Sequence, residues 1–202
     1  MYSGVDRDRR TSGCSGMFRW FVIVLLFCAT PVHAQTTAGV PSLEAFASLP
    51  RIVSIQLSPS GQHLGVLRNQ DGKSMLVTQT VTGQDPHVVV TTDNRESIIN
   101  WFTWANDERL LVSIRIVAAR DKVDQQETRL LAVNRDGSQQ KPDLLKSSSL
   151  LFGPKHVPQF QDRIIGDIPN DPRHVLMQLD FERPLSPDVY KVDVYTGERT
   201  IV

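Results

Sequence analysis

The sequence predicts an all-β chain: a partial β-propeller of about three four-stranded antiparallel blades, placed after a signal peptide and a short helix. Three observations carry this. After residue 51 the apolar residues fall in short strand-length runs rather than at helical spacing. Turn-forming groups such as Ser-Pro-Ser-Gly and Asp-Gly separate the runs. The same turns return at the same strand junctions, which marks a repeat.

The first 34 residues do not read as part of that fold. Residues 18–27 (FRWFVIVLLF) form an apolar run behind Arg19, and CATPVHA follows, with Val32 and Ala34 at the positions that precede cleavage. This is the grammar of a secretory signal peptide cut after Ala34, so an exported protein, periplasmic or secreted, is expected. A permanent bilayer crossing needs about 20 apolar residues, so no stable membrane insertion is expected. Met17, just ahead of Arg19, offers an alternative start. Cys28 could suggest a lipoprotein, but Phe27 is bulky where such a site needs a small residue.

Both cysteines, Cys14 and Cys28, lie in this leader. A mature chain of 168 residues would therefore hold no disulfide, no thiolate metal site and no cysteine nucleophile. Its 18 basic and 20 acidic residues leave it near neutrality, without the basic face that nucleic acid requires.

Residues 38–52 carry the one helical pattern. Ser42 can cap it, Glu44 suits the first turn, Leu43, Phe46 and Ala47 share a face, and Pro50 ends it. Residues 35–50 thus read as a short helix and linker, and 51–202 as the propeller part. Strands are expected at 52–57, 63–67, 75–81 and 87–91, joined by SPSG, NQDGK and TGQDP. The pattern returns at 98–104 and 109–117, where the polar stretch AARDKVDQQE reads as a loop before the strand and Gly turn of TRLLAVNRDGSQ. It returns again in RIIGDIPNDPRHVLMQLD and PDVYKVDVYTGERTIV.

Aligning the turns makes the repeat explicit. The first-to-second strand turn appears as Ser58-Pro-Ser-Gly, Ala105-Asn-Asp-Glu and Pro169-Asn-Asp-Pro. The turn after the third strand appears as Thr82-Gly83, Asp136-Gly137 and Thr196-Gly197, with glycines 54 and 60 residues apart. Four strands per unit at this period indicate a propeller blade. A sandwich of unrelated meanders is the competing architecture. The chain has room for three blades, the third expected to lose its outer strand at Val202, whereas closed propellers have 4–8. The expectation is the front part of a longer protein with open sheet edges.

Candidate chemistry is sparse. His63, His87, His156 and His174 have no metal spacing and read as hydrogen-bonded surface or rim residues. Ser58, His63 and a nearby Asp could be imagined as a triad, but they would lie on one flat hairpin without an oxyanion hole. Trp101, Phe102 and Trp104 read as wedge fillers between sheets, with stacking on a substrate ring as the functional alternative. The charged segment 120–127 reads as a solvated crossover, with substrate gating as its alternative. Asp167, Asp171 and Asp180 lack a calcium-loop pattern. Pro142, Pro154, Pro158 and serines 147–149 mark an irregular connection between the second and third blades. No catalytic, cofactor-binding or metal residue is expected in this chain.

Taken together, the leader, the helix EAFASLPRI, the hairpin IQLSPSGQHLGVL, the strand pair INWFTWANDERLLVSI and the closing DVYKVDVYTGE resemble the start of the S9 (prolyl oligopeptidase) serine peptidases. The secreted bacterial dipeptidyl-aminopeptidase and acylaminoacyl-peptidase-like members are the nearest in pattern. The resemblance spans residues 43–202. It implies a substrate-filtering propeller followed by an α/β-hydrolase domain with a Ser-Asp-His triad, the serine in a G-x-S-x-G elbow. Here the nearest approach is Gly72-Lys-Ser74-Met-Leu76, which lacks the last glycine and falls in a hairpin. No Glu-Glu pair of the dipeptidyl-peptidase type occurs either. The expected function is therefore substrate filtering within an exported peptidase, with peptide substrates and a hydrolase domain as partners. Hairpins of the LSPSG type also occur in TolB-like propellers, so a non-catalytic periplasmic propeller that binds proteins or peptides is the alternative.

Overall fold

Among the described residues eleven strands follow one another in the order of the chain, and each pairs in its sheet with its sequence neighbours. A computed structural model of the chain describes Leu43 and residues 48–120, 122–146 and 156–202. The expected signal peptide, both cysteines, Met17 and nearly all of the expected helix lie outside the described residues, as do serines 147–149 and Pro154. Among the described residues no helix is long and apolar enough to cross a membrane.

The first sheet is the meander β1 (Ile52–Leu57), β2 (His63–Gln70), β3 (Lys73–Thr80) and β4 (His87–Thr92). The second is β5 (Ser97–Trp104), β6 (Arg109–Arg120) and β7 (Val123–Asn134). The third is β8 (Ile164–Asp167), β9 (His174–Leu179), β10 (Asp188–Asp193) and β11 (Arg199–Ile201). All strand pairs are antiparallel. Three successive antiparallel sheets of this kind make the all-β, partial-propeller architecture that the turn repeat predicts.

The repeated turns close on similar hydrogen bonds, the third over one residue more than the first two. The Gly83 N–H donates to Thr80 O (2.9 Å), Gly137 to Asn134 O (2.9 Å) and Gly197 to Asp193 O (2.8 Å). Each turn is also clasped from its first residue: Thr80 N–H to Gln84 O, Asn134 to Ser138 O and Asp193 to Glu198 O. All three glycines sit at φ of 76–83°, where a Cβ is strained, so Gly is the residue this junction needs. The β2–β3 hairpin uses Asp71 (φ 52°) and Gly72 (φ 76°), both left-handed as a two-residue type I′ turn requires.

Burial explains the apolar runs. Leu110, Val112, Leu131 and Val133 pack with Leu67, Leu76 and Phe102 on the first-sheet side. Their sequence neighbours Leu111, Leu130 and Ala132 pack with Val175, Met177 and Val192 on the third-sheet side. A strand covered on both faces reads as a continuous hydrophobic run, as RLLVSI and TRLLAV do. The first sheet's other face is uncovered among the described residues, with Ile52, Ile55, Leu57 and Val88 all more than half exposed. Close approach also fixes Gly65: a Cβ there would meet Phe102 Cε2 at 2.6 Å.

Three expectations need correction. The stretch 118–127 is not a loop, because β6 and β7 pair without interruption from Arg109↔Asn134 to Arg120↔Val123. Its polar composition reflects the lack of a third strand there: β5 pairs no further along β6 than Ile116, so residues 117–119 and 124–126 form part of a two-stranded ribbon with wet faces. Among the described residues the second sheet has three strands rather than four. Lys141 makes an isolated antiparallel bridge with Ala132 where a fourth strand would lie. Pro142 follows and has no N–H to continue the ladder. The third sheet, in contrast, keeps a short fourth strand, β11, at its edge.

Candidate functional site

The first strands of the second and third sheets, β5 and β8, leave a furrow between them. Its first lobe is a cavity of about 700 Å³ lined by Trp101, Thr103, Phe160, Asp162, Arg163 and Asp167, among others. A second lobe of about 320 Å³ shares Phe160 and Arg163 and is bounded by His156, Asp180, Pro184 and Leu185. The Phe160–Arg163 ridge therefore stands between two hollows.

Each wall residue has a local reason for its place. Trp101 follows an irregularity in the β5–β6 register between Ile99 and Trp101. It packs against the cluster shared with the third sheet, whereas Phe102 and Trp104 are buried on the other side against the first. The aromatic run thus divides: two rings fill the wedge between sheets, and Trp101 lines the furrow. Phe160 is 57% exposed, and a parallel bridge to Thr128 anchors its backbone to the second sheet.

Asp162 is the pin of this wall. Its two carboxylate oxygens accept from Ser113 Oγ (2.6 Å) and Thr128 Oγ1 (2.7 Å), hydroxyls that are otherwise buried in the second sheet. Asp180 is likewise engaged, accepting the Leu185 N–H (3.0 Å) beside His156 Nε2 at 3.4 Å. Leu185 sits at φ 60° and is 96% exposed, an unusual conformation for a bulky residue. Arg163 and Asp167 are different: among the described residues neither side chain makes a hydrogen bond or ion pair, and both are exposed. The furrow thus offers one uncommitted cation and one uncommitted anion on the same strand segment.

A further hollow of about 430 Å³ lies between β4 and β7, but its only charged lining residue, Arg129, is already paired with Glu127 and faces Asp143 at 3.8 Å.

The residues singled out from sequence fall mostly elsewhere. Ser74 is buried, its hydroxyl engaged with Asn69 Oδ1 (2.6 Å) and Asn94 Oδ1 (2.8 Å), far from the geometry of a nucleophile elbow. Ser58 and His63 are brought near Asp107 of the next blade's turn, but the bonds run differently from a triad. The Ser60 N–H donates to Asp107 (2.8 Å), Ser58 Oγ receives the His63 backbone N–H (3.3 Å), and His63 Nδ1 is buried without a partner. Hydrogen bonds from Ser60, side chain then backbone, hold Asp107 below the usual carboxylate range.

His87 faces Asp85 at 3.0 Å, and His174 faces Asp171 at 2.8 Å. The Asp171 carboxyl is lowered to about 2, first by its hydrogen bond from Lys191 (2.8 Å) and then by that from His174. Asp167, Asp171 and Asp180 do not converge, and among the described residues no three metal-ligating side chains do. Sequence reasoning missed Phe160, Asp162 and Arg163, which lie in the irregular connection after the second sheet. An exposed aromatic beside an Asp-Arg pair was the available signal.

No protein-family model matches the chain, and no curated protein matches it.

Proposed function

We propose that this chain is a peptide-binding propeller segment: the substrate-admitting part of an exported S9-like serine peptidase, itself without hydrolytic activity. The observation that carries the reading is the furrow between β5 and β8, which combines the Trp101 and Phe160 rings with the uncommitted charges of Arg163 and Asp167. Rings give apolar peptide side chains a rigid surface, and a few placed polar groups set orientation. The resemblance of the leader, the SPSG hairpin and the closing YTGE turn to S9 propellers supplies the peptidase context.

The test pairs two assays on the full chain. Short synthetic peptides should bind, read by the change in Trp fluorescence, while aminoacyl and dipeptidyl chromogenic substrates should remain at the rate of a protein-free blank. Turnover above the blank would overturn the non-catalytic reading, and absence of peptide binding would overturn the peptide-handling one.

A further inference from the structure

The third sheet runs β11-β10-β9-β8, so β8 is its edge strand. On that side its backbone faces the furrow, not another strand, among the described residues. An edge of this kind can accept an extended chain as an additional strand, with backbone groups supplying affinity and flanking side chains supplying selection. The register of β8 is irregular between Ile164 and Gly166, and the strand has only four residues, so its capacity is short.

The charges at its two ends have opposite sign. Arg163 precedes the strand and Asp167 ends it, both exposed and both without a partner among the described residues. Four residues of extended chain separate them by at most about 13 Å. A carboxylate suits Arg163 and an ammonium suits Asp167, so a peptide lying antiparallel to β8 places its amino terminus at Asp167 and its carboxyl terminus at Arg163. A parallel peptide meets like charge at both ends. Asp162 lies next to Arg163, but its oxygens are already engaged by Ser113 and Thr128. Asp180, the other nearby carboxylate, is engaged by the Leu185 N–H and His156.

We infer that the β8 edge, bounded by Arg163 and Asp167, is a docking site for short extended peptides of about four or five residues with free termini, bound antiparallel. This rests on the peptide-binding reading above and specifies its ligand class. Trp101 on one wall and Phe160 beside the carboxylate end supply contacts for the peptide's side chains. The length limit follows from the strand: a longer peptide cannot bring both termini to the two charges at once.

The test titrates the full chain with a free-terminus pentapeptide and with its N-acetylated and C-amidated forms, and repeats this for Arg163→Gln and Asp167→Asn. Both side chains are exposed, so the variants should fold, with circular dichroism as the check. Amidation is expected to weaken binding to the wild type roughly three- to tenfold but leave Arg163→Gln unmoved. Acetylation should do the same for the wild type and leave Asp167→Asn unmoved. Equal binding of free and blocked peptides, or equal penalties in the variants, would overturn the inference while leaving peptide binding intact. If no peptide binds at millimolar concentration, the function proposed above fails with it.

Discussion

Arg109 is the largest fully buried side chain among the described residues, 1% exposed, and it links the second sheet to the third. Its Nε donates to Val194 O (2.9 Å), its Nη1 to Asn134 Oδ1 (2.8 Å) and Gln139 O (3.0 Å), and its guanidinium lies 4.7 Å from the Tyr195 ring centroid. Burial lowers its pKa, opposed by Tyr195 and Asp193. Arg109→Met leaves three acceptors without their donor, the Val194 carbonyl among them buried, and urea denaturation should show a loss of about 3 kcal/mol. Asp171 makes a different prediction. Its folded pKa is depressed to about 2 from the usual 3.8, so its contribution to stability is present above pH 3.8 and is lost as pH falls toward 2. Carboxyl-detected NMR should place its midpoint near 2 in the wild type, and Lys191→Ala should move it upward; an unmoved midpoint would refute the assigned cause. Neither role was legible beforehand. Arg109 reads as an ordinary strand-initial arginine, because its acceptors come from residues 134, 139 and 194.

Among the elements, the turns were the most readable feature and the β6–β7 ribbon the least. A turn glycine is dictated by its own φ, a local matter, so Gly83, Gly137 and Gly197 could be aligned from sequence. Gly83→Ala should cost about 1 kcal/mol by strain alone, since a Cβ there meets nothing within 4 Å. Gly65→Ala should cost about 1–3 kcal/mol through its clash with Phe102, at an ordinary φ, and a thermal melt should rank Gly83→Ala below Arg109→Met. The ribbon was misread as a loop because strand polarity reports burial rather than backbone pairing. Residues 117–120 and 123–126 pair fully, yet lack a third strand and a covering sheet among the described residues. Two unsupported strands are marginal in water. Amides of residues 117–119 and 123–126 should therefore exchange with solvent much faster than those of 110–114, a contrast that hydrogen-exchange NMR measures directly.

At the scale of the whole molecule, the second sheet is the layer on which the other two depend. Leu110 and Leu111 are sequence neighbours, both fully buried, yet each belongs to a different core. Leu110→Ala and Leu111→Ala should each cost about 2–5 kcal/mol. The two cores share no side chain, but the two positions are adjacent in the chain, so a double-variant cycle should show coupling of about 0.5 kcal/mol or more, carried by the shared backbone. A double variant that costs no more in chemical denaturation than either single one would contradict the two-core arrangement.

What the sequence determined by itself was the run of strands, their meander pairing and the repeat of turns, because strand length, alternation and positive-φ glycines are set within a few residues of the chain. Tertiary structure alone decided which of two adjacent leucines faces which sheet, that Asp162 is consumed by Ser113 and Thr128, and that Arg163 and Asp167 are left free beside Trp101. These depend on how one sheet stacks against the next, through contacts between residues some 50 positions apart, and no local pattern encodes that stacking.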